Sequence, residues 1–595
     1  MTSTVMEAMD TCAAKFAALP ALRSKIKGQW QTVTWAEYHA QIRLVARAMM
    51  ALGLAPKEGL AIIGNNCPQW FIANNAAIYS GALPAGIYAT NSPEQCHYIA
   101  ENCDATIAVV ENSEQLGKFQ VIAHRLPKLK AIIVMTERVD TSVNSAATPQ
   151  QIVAWKDLPA LAQQVSEEAL DSRIKAQTAD DICTLIYTSG TTGNPKGVML
   201  SHRNLTWSSK TAIDFFALTS DDRVISYLPL SHIAEQIFTL HMPMYSGGCT
   251  SFAESLDLLG DNLREVRPTR FLGVPRVWEK IQAKIVAAGQ ASPPQRKKIV
   301  AWARKQGLAG GYAKQQGQSL PLFFGVANKL VFSKVRQQLG FDRCLHLLTG
   351  AAPISLDTLE FFLSLGLPVC EIYGMSESSG LASISLANDC RTGKLGRAIP
   401  GTEMRIAADG EILLRGPHVF AGYLKKPAAT SETIDSEGWL HSGDLGDINS
   451  EGYLQITGRK KDIIITSGGE NIAPQLLEGK IKAIAAISQV VVIGDQRKYL
   501  TALITLNAET LDSELVYAGS PACGAAEAAS CDKMLAYLQS QIDDVNKSLA
   551  QVQTIKKFTV LTADFSIEGD ELTPTMKVKR NVVSIKYEAE IAAMY

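Results

Sequence analysis

The stretch YTSGTTGNPKGVMLSH, residues 187–202, joins a short apolar segment to a loop of hydroxyl side chains and glycines. Gly190, Gly193 and Gly197 carry no Cβ, so backbone N–H groups can turn toward an anion there. Hydroxyl donors and one ammonium group complete the loop; they belong to Thr188, Ser189, Thr191, Thr192 and Lys196. The pattern predicts a loop that holds phosphate at the end of a strand.

This loop differs from the common nucleotide-binding P-loop. In the P-loop pattern a glycine precedes the lysine and a serine or threonine follows it, whereas here Pro195 precedes Lys196 and Gly197 follows it. The whole sixteen-residue stretch instead resembles the signature of the adenylate-forming superfamily. That superfamily includes acyl-CoA synthetases, luciferases and peptide-synthetase adenylation domains.

The composition is that of a large enzyme without a strong charge bias. The 595 residues include 57 basic and 58 acidic side chains, so nothing in the overall charge favours a nucleic-acid partner. The eleven cysteines are scattered and lack the paired spacing of a zinc site, which favours a reduced, cytoplasmic chain. Glu7 and Asp10 stand where a signal peptide carries basic charge, and no apolar run approaches the ~18 residues that a membrane span needs.

Apolar periodicity predicts alternating helices and buried strands, an α/β fold. Thr34 and Glu37 have the spacing of a capping box, and a helical pattern follows them as far as Gly53. Short β-rich runs occupy 131–135, 184–187 and 198–200. The pattern changes near Gly458, so we predict a large multi-layer domain over 1–458 and a smaller, mobile α+β domain over 459–595. The alternative is a C-terminal lobe packed continuously on the rest.

A second motif cluster lies between 347 and 380. LLTGAAP, 347–353, reads as a strand end and a loop of small residues, and EIYGMSESSG, 371–380, follows another β-like segment. The resemblance implies that Tyr373 stacks on adenine and that Gly350, Ala351 and Gly374 lie against the nucleotide. It also implies that Glu377 and Thr188 hold Mg²⁺, which neutralises phosphate charge as pyrophosphate leaves.

A third cluster begins with SGD, 442–444. In this order and spacing the resemblance assigns Asp444 to the ribose hydroxyls, with Arg459 assisting. Lys461 matches the hinge about which the C-terminal domain rotates between half-reactions. Gly468 and Gly469 match a loop that reaches the thioester-forming face. Some long-chain relatives carry a lysine where this chain has Ile465, so that contact is absent.

The motif ELTPTMKVKR, 571–580, places Lys577 at the position of the family's catalytic lysine. A mobile ammonium there offsets the repulsion between a carboxylate and the α-phosphate. The stretch YLPLSHIAEQIF, 227–238, resembles long-chain and bubblegum-type fatty acyl-CoA synthetases. The resemblance puts His232 at the mouth of the acyl site; the alternative interpretation is a histidine that is simply part of the core. Gln236 stands where one bacterial relative has a gating tryptophan.

The resemblance implies a fatty acid–CoA ligase that uses ATP, Mg²⁺ and coenzyme A. The fatty acid first joins AMP with release of pyrophosphate, and the CoA thiol then attacks the mixed anhydride. Two alternatives stay open: a fatty acyl-AMP ligase that loads a carrier protein, and a non-catalytic lipid-binding relative. The second is disfavoured because a scaffold has no need of Lys196, Glu377, Asp444 and Lys577 together.

Residues 276–343 are strongly basic, with 13 basic and 2 acidic side chains and several aromatic ones. One interpretation is a set of amphipathic helices with solvated faces. The other is peripheral docking on an anionic membrane surface, where each nearby Lys or Arg contributes ~1 kcal/mol. Both interpretations suit an enzyme whose substrates partition into membranes.

Overall fold

The computed structural model describes residues 3–136, 150–188, 194–290, 292–386, 389–573 and 576–595. Five residues of the predicted phosphate loop, Ser189, Gly190, Thr191, Thr192 and Gly193, lie outside these ranges. The two strands that flank this loop are described.

An eight-stranded, mostly parallel sheet forms the centre of the N-terminal region. Apolar clusters cover both of its faces, which explains why its strands read as continuous apolar runs. The strands predicted at 131–135, 184–187 and 198–200 all belong to it. In spatial order its strands are Gly422–Tyr423, Lys196–Ser201, Ile182–Thr188, Leu83–Ile87, Gly59–Ile63, Ala105–Val110, Ala131–Val134 and Gln151–Ala154.

Three smaller sheets complete this region. A five-stranded sheet carries the 347–380 motifs, in the order Arg270–Gly273, His346–Thr349, Val369–Tyr373, Ser383–Ile384 and Arg397–Ala398. A four-stranded sheet carries SGD, in the order Glu403–Ile406, Glu411–Arg415, Leu440–Ile448 and Leu454–Arg459. Another four-stranded sheet has the order Arg223–Ser226, Cys249–Phe252, Pro20–Ile26 and Gln29–Thr34.

Helices pack on these sheets, and the predicted capping box is present. The Thr34 side chain accepts a hydrogen bond from the Glu37 N–H, the Glu37 carboxylate accepts one from the Thr34 N–H, and the helix runs from Trp35 to Ala51. The longer helices of this region are Val5–Lys15, Trp35–Ala51, Pro68–Tyr79, Pro93–Asn102, Ser113–Ile122, Glu167–Lys175, His202–Phe216, Leu259–Val266, Pro275–Gln290, Pro294–Gln315, Ser333–Leu339 and Leu356–Ser364.

The hydrophobic core changes after residue 456. Two apolar clusters hold the C-terminal region together, and neither contains a residue before Ile464. This region has a two-stranded sheet, Ile464–Ile465 and Asn471–Ile472, and a three-stranded sheet, Ile487–Ile493, Leu500–Leu506 and Ile555–Val560. Its longer helices are Pro474–Lys482, Leu511–Ala518, Asp532–Asn546, Arg580–Lys586 and Glu588–Ala593. Every helix in the described ranges is too short or too polar to cross a bilayer.

Candidate active site

A cavity of about 3040 Å³ lies between the N-terminal sheets and the C-terminal region. Its walls come from both parts of the chain, so side chains far apart in sequence face one space. The predicted site residues that line it are Thr188, Lys196, His232, Gly350, Ala351, Tyr373, Gly374, Glu377, Asp444, Arg459, Lys461 and Lys577.

The phosphate-loop strands form an antiparallel hairpin in which Thr188 pairs directly with Lys196. The two strand ends, at Thr188 and Lys196, both line the cavity. The Lys196 ammonium lies 4.6 Å from the centre of the Tyr423 ring, a cation–π distance that orients the charge. Tyr423 in turn donates a hydrogen bond of 2.7 Å from its hydroxyl to Oε1 of buried Glu377. One oxygen of that carboxylate is therefore fixed, and the group faces the cavity.

Tyr373 and Asp444 are joined directly. Buried Tyr373 ends a strand of the five-stranded sheet, and its hydroxyl donates a 2.9 Å hydrogen bond to Oδ2 of Asp444. Asp444 pairs across two antiparallel strands with Arg459, whose Nε lies 3.5 Å from Oδ1. Burial raises the pKa of Asp444, and Arg459 and Tyr373 oppose that rise. The three residues thus form one polar wall that can bind hydroxyl groups beside an aromatic ring.

Small residues are required beside Tyr373. A Cβ at Gly350 would stand 2.7 Å from Cγ1 of Ile372, and a Cβ at Gly374 would stand 2.3 Å from the Gly380 carbonyl oxygen. Ala351 has φ +69°, a left-handed conformation in which larger side chains are strained. Packing within the protein therefore requires glycine at 350 and 374, and both positions line the cavity.

Lys577 reaches this cavity from the C-terminal region. Its pKa is lowered first by burial and then by Arg459, while the carboxylates of Asp444 and Glu377 raise it. Its backbone N–H donates a hydrogen bond of 3.0 Å to Oγ1 of Thr573. A lysine and two carboxylates from separate motifs therefore act on one another within the same space.

His232 caps the helical segment that begins at Ile233. Its Nδ1 accepts a hydrogen bond from the Ala234 N–H at 3.2 Å, so a proton on the neutral ring lies on Nε2. Burial and the nearby charge of Lys577 lower the pKa of His232 to about 4. The ring is consequently neutral at physiological pH and can donate one hydrogen bond into the cavity.

Neither of the two departures from the family pattern, Gln236 and Ile465, lines the cavity. The side chain of Gln236 is buried, and its amide donates to the Leu230 carbonyl at 2.8 Å. Ile465 is about half exposed. Gly468 and Gly469 lie in the exposed turn between the strands Ile464–Ile465 and Asn471–Ile472, and neither lines the cavity. Their assignment to the thioester step stays a prediction.

Sequence reasoning missed two cavity residues. Tyr423 had no distinguishing sequence context, because its contacts with Lys196 and Glu377 come from distant segments. Glu371 stands two residues before Tyr373 on one strand and therefore points to the same side, a spacing that could have identified it. Burial raises the pKa of Glu371 to about 7, and its buried Oε2 has no hydrogen-bond partner among the described residues.

Comparisons with known proteins identify the family of this chain. The family model described as AMP-binding enzyme matches residues 9–424, and the model described as AMP-binding enzyme C-terminal domain matches residues 461–595. The chain is 44% identical to long-chain-fatty-acid–CoA ligase ACSBG2 of Xenopus laevis, over 98% of this chain and 82% of that protein. It is 40% identical to the human protein of that name, over 98% of this chain and 90% of the relative.

Solved structures show the same fold at low sequence identity. The adenylation domain of carboxylic acid reductase from Segniliparus rugosus, in complex with AMP and a co-purified carboxylic acid, has a TM-score of 0.77 at 19% identity, covering all of this chain and 94% of that one. ATP-bound MatB from Rhodopseudomonas palustris has a TM-score of 0.71 at 22% identity, covering 98% of this chain and 99% of that one.

Proposed function

The chain belongs to the AMP-binding enzymes and, within them, to the ACSBG group of long-chain-fatty-acid–CoA ligases; from this we propose that it joins long-chain fatty acids to coenzyme A through an acyl-AMP intermediate. The observation that carries the proposal is the meeting of Lys577 with Glu377 and Asp444 in one cavity.

In the proposed first step, a carboxylate oxygen of the fatty acid attacks the α-phosphorus of ATP. The bond to the bridging oxygen breaks, and pyrophosphate leaves with the electron pair. Both reactants are anionic, so the ammonium of Lys577 lowers the barrier by contacting the carboxylate and the α-phosphate together. Thr188 and Lys196 bind phosphate oxygens, while neutral His232 donates a hydrogen bond near the carboxylate.

The nucleoside half of ATP is assigned to the opposite wall. The ring of Tyr373 stacks on adenine beside the small residues Gly350, Ala351 and Gly374. Asp444 accepts from the ribose hydroxyls with Arg459 assisting. The hydrogen bond between Tyr373 and Asp444 supports this assignment, since it keeps the base-binding ring and the ribose-binding carboxylate in a fixed relation.

Mg²⁺ is assigned to Glu377 and Thr188. The donor set suits an ion held mostly by phosphates and water, because Mg²⁺ commonly uses only one or two protein carboxylates. No group of three or more His, Cys, Asp or Glu side chains that could cage a metal occurs in the described ranges. When bound, the ion neutralises charge on the departing pyrophosphate.

An apolar arm of the cavity supports a long acyl chain as the substrate. The arm runs between the helices Pro275–Gln290 and Pro294–Gln315 and the segment 328–339. This part of the cavity, which we call the acyl arm, has as its apolar lining Val277, Ile281, Ile285, Val300, Val331, Val335 and Leu339. The charged side chains Arg276, Lys280, Lys284, Arg296 and Lys334 of the same elements also border the cavity. Burying methylene groups against these side chains contributes about 0.8 kcal/mol each. The segment 276–343 supplies most of this wall, and we propose that the same segment contacts membrane surfaces.

In the proposed second step, the CoA thiolate attacks the acyl carbonyl and AMP leaves. Lys577 is not required for that attack and can leave the cavity. Residues 459–595 rotate about Lys461 between the two steps and bring the Gly468–Gly469 turn toward the cavity. The short helical turn Lys460–Asp462 lies where the two hydrophobic cores separate, which supports a hinge there.

The test is a panel of fatty acids incubated with ATP and CoA and analysed by mass spectrometry. The proposal expects AMP, pyrophosphate and acyl-CoA in equal amounts from long-chain acids. Acyl-AMP that accumulates whether or not CoA is present would indicate an acyl-AMP ligase instead. ADP as the nucleotide product, or no product, would refute the proposal.

A further inference from the structure

An exposed apolar surface lies on the outer side of the acyl arm. We call it the portal surface and define it by six side chains, each 45–88% exposed: Ile299, Leu320, Leu322, Phe323, Val326 and Leu330. Leu322, at 88%, is the most exposed of them. Apolar side chains gathered at one place on a surface mark an interaction site more often than single ones do.

The portal surface is held rigidly from beneath. Gly310 of the helix Pro294–Gln315 approaches so closely that a Cβ there would stand 2.2 Å from the Phe324 ring. Ala327 and Phe332 are completely buried in a small apolar cluster under the same segment. Phe324, Ala327 and Phe332 pack inward and fix the segment in place. Phe323 and Val326 therefore point outward because of this packing.

Basic side chains surround the portal surface. Six exposed ones are Arg296, Lys297, Lys298, Lys305, Lys329 and Lys334, and none forms an ion pair within the described part of the chain. Arg304 behaves differently, since its Nε donates to Oγ of Ser364 at 2.9 Å and its guanidinium lies 4.6 Å from the Phe361 ring centre. Arg304 is therefore engaged within the protein, whereas the six exposed cations remain available for anionic groups.

The acyl arm opens at this surface. Ile299 and Leu330 line the cavity and are each 48% exposed, while their neighbours Val300 and Val331 line it more deeply. The same continuous cavity contains His232 and Lys577. The portal surface and the groups assigned to the reacting carboxylate therefore border one cavity.

We propose that the portal surface docks on a bilayer containing anionic lipids and that fatty acids enter the enzyme there, carboxylate first. A fatty acid in a bilayer keeps its carboxylate at the headgroup level and its tail in the hydrocarbon. Cations such as Arg296 and Lys334, which also line the cavity, attract the carboxylate, and the tail follows into the apolar arm. The apolar side chains insert at the interface, and the cations bind anionic headgroups.

This inference rests on the proposed ligase function. Its distinguishing feature is that docking and substrate entry share one surface, so a change there must alter both. Substrate dissolved in water can reach the cavity without docking.

The binding test uses the full chain with vesicles of phosphatidylcholine alone and of phosphatidylcholine with phosphatidylserine. Substituting Lys297, Lys298 and Lys329 together by glutamine should weaken binding to the anionic vesicles on the order of 100-fold, since each lysine contributes ~1 kcal/mol. None of the three lines the cavity. The matched control changes Lys156, Lys210 and Lys533 to glutamine and should bind as wild type does; these lysines are exposed and form no ion pair with any residue that the structure describes.

The apolar part is tested by L322S combined with F323S. Its control is V516S combined with I585S, two exposed apolar residues of the C-terminal region. The portal pair should weaken vesicle binding and the control pair should not. Equal binding by the portal variants and wild type would overturn the proposal. The proposal would also be overturned if the wild type self-associates without vesicles and the L322S/F323S variant does not. The portal surface would then bind a second copy of the chain.

The activity test compares two forms of substrate. The portal variants should convert a long-chain acid embedded in anionic vesicles several-fold more slowly than wild type, yet convert a shorter acid dissolved as monomer at the wild-type rate. Equal rates with the vesicle-bound acid would refute entry at this surface. Failure of the wild type to release AMP from the dissolved acid would instead refute the ligase function itself.

Discussion

Replacing Lys577 by alanine removes the ammonium that the C-terminal region places near Glu377 and Asp444. Loss of one preorganised group that stabilises developing charge costs about 10²–10³ in rate, or about 2.7–4 kcal/mol. We expect a decrease of that size in acyl-AMP formation. Stability should change little, because burial and the neighbouring Arg459 already lower the pKa of Lys577 and the free protein gains little from the charge.

The assay separates the two half-reactions. Pyrophosphate release in a single turnover with ATP and fatty acid measures the first, and acyl-CoA formation from synthetic acyl-AMP and CoA measures the second. The alanine variant should lose the first and keep an appreciable fraction of the second. Loss of both, in a variant whose circular dichroism spectrum and melting temperature match wild type, would refute the assigned role.

The pH dependence gives an independent check with Lys577→Arg. A lysine is charged below its pKa, and this pKa is lowered, so the adenylation rate of the wild type should decline as pH rises through a range below the usual lysine value of about 10.4. A guanidinium stays protonated throughout, so the arginine variant should lack this alkaline decline. Identical alkaline limbs in the two proteins would contradict the reasoning.

Three further predictions concern other residues. Asp444→Ala should raise the KM for ATP by about 10- to 150-fold, the equivalent of about 1.5–3 kcal/mol for a charged hydrogen bond, while fatty-acid binding measured by calorimetry stays unchanged; unchanged ATP kinetics would remove Asp444 from the site. Lys461→Pro should impair thioester formation more than adenylation, because proline fixes φ near the helical value of the turn Lys460–Asp462 and so prevents the change in φ that rotation needs. Equal loss of both steps would argue against a hinge. Glu235 is buried and accepts hydrogen bonds from Ser226 and Thr239, and burial raises its pKa from the usual value of about 4.3 to about 7. The folded protein therefore binds more protons than the unfolded chain between those values, and wild-type stability falls as pH rises through that window. In Glu235→Gln this contribution is absent, so the melting temperature of the variant relative to wild type should increase from pH 5 to pH 8. The same difference in melting temperature at both pH values would contradict this prediction.

The fold and the main motifs could be predicted because their signals are local. The capping box at Thr34 needs only Glu37, three residues away, and the confirmed strands read as apolar runs because both faces of their sheet are buried. The adenylate-forming fold and the ligase family, expected from the ordered motifs, are confirmed. The site assignments, which depended on the same motifs, stay predictions.

The partnerships within the site needed the tertiary structure. Glu377, in the short helical turn Ser376–Ser378, takes its hydrogen bond from Tyr423 of the eight-stranded sheet. Asp444 takes one from Tyr373 through a contact between strands of two different sheets. The basic count of residues 276–343 likewise could not reveal that Arg304 is engaged with Ser364 or that Ile299 and Leu330 open the acyl arm. Hydrogen-bonding capacity, charge and periodicity belong to the residues themselves and to near neighbours, so the sequence determines them. Which distant groups meet, and which remain exposed, depends on how all the layers pack around their cores, and only the folded chain decides that.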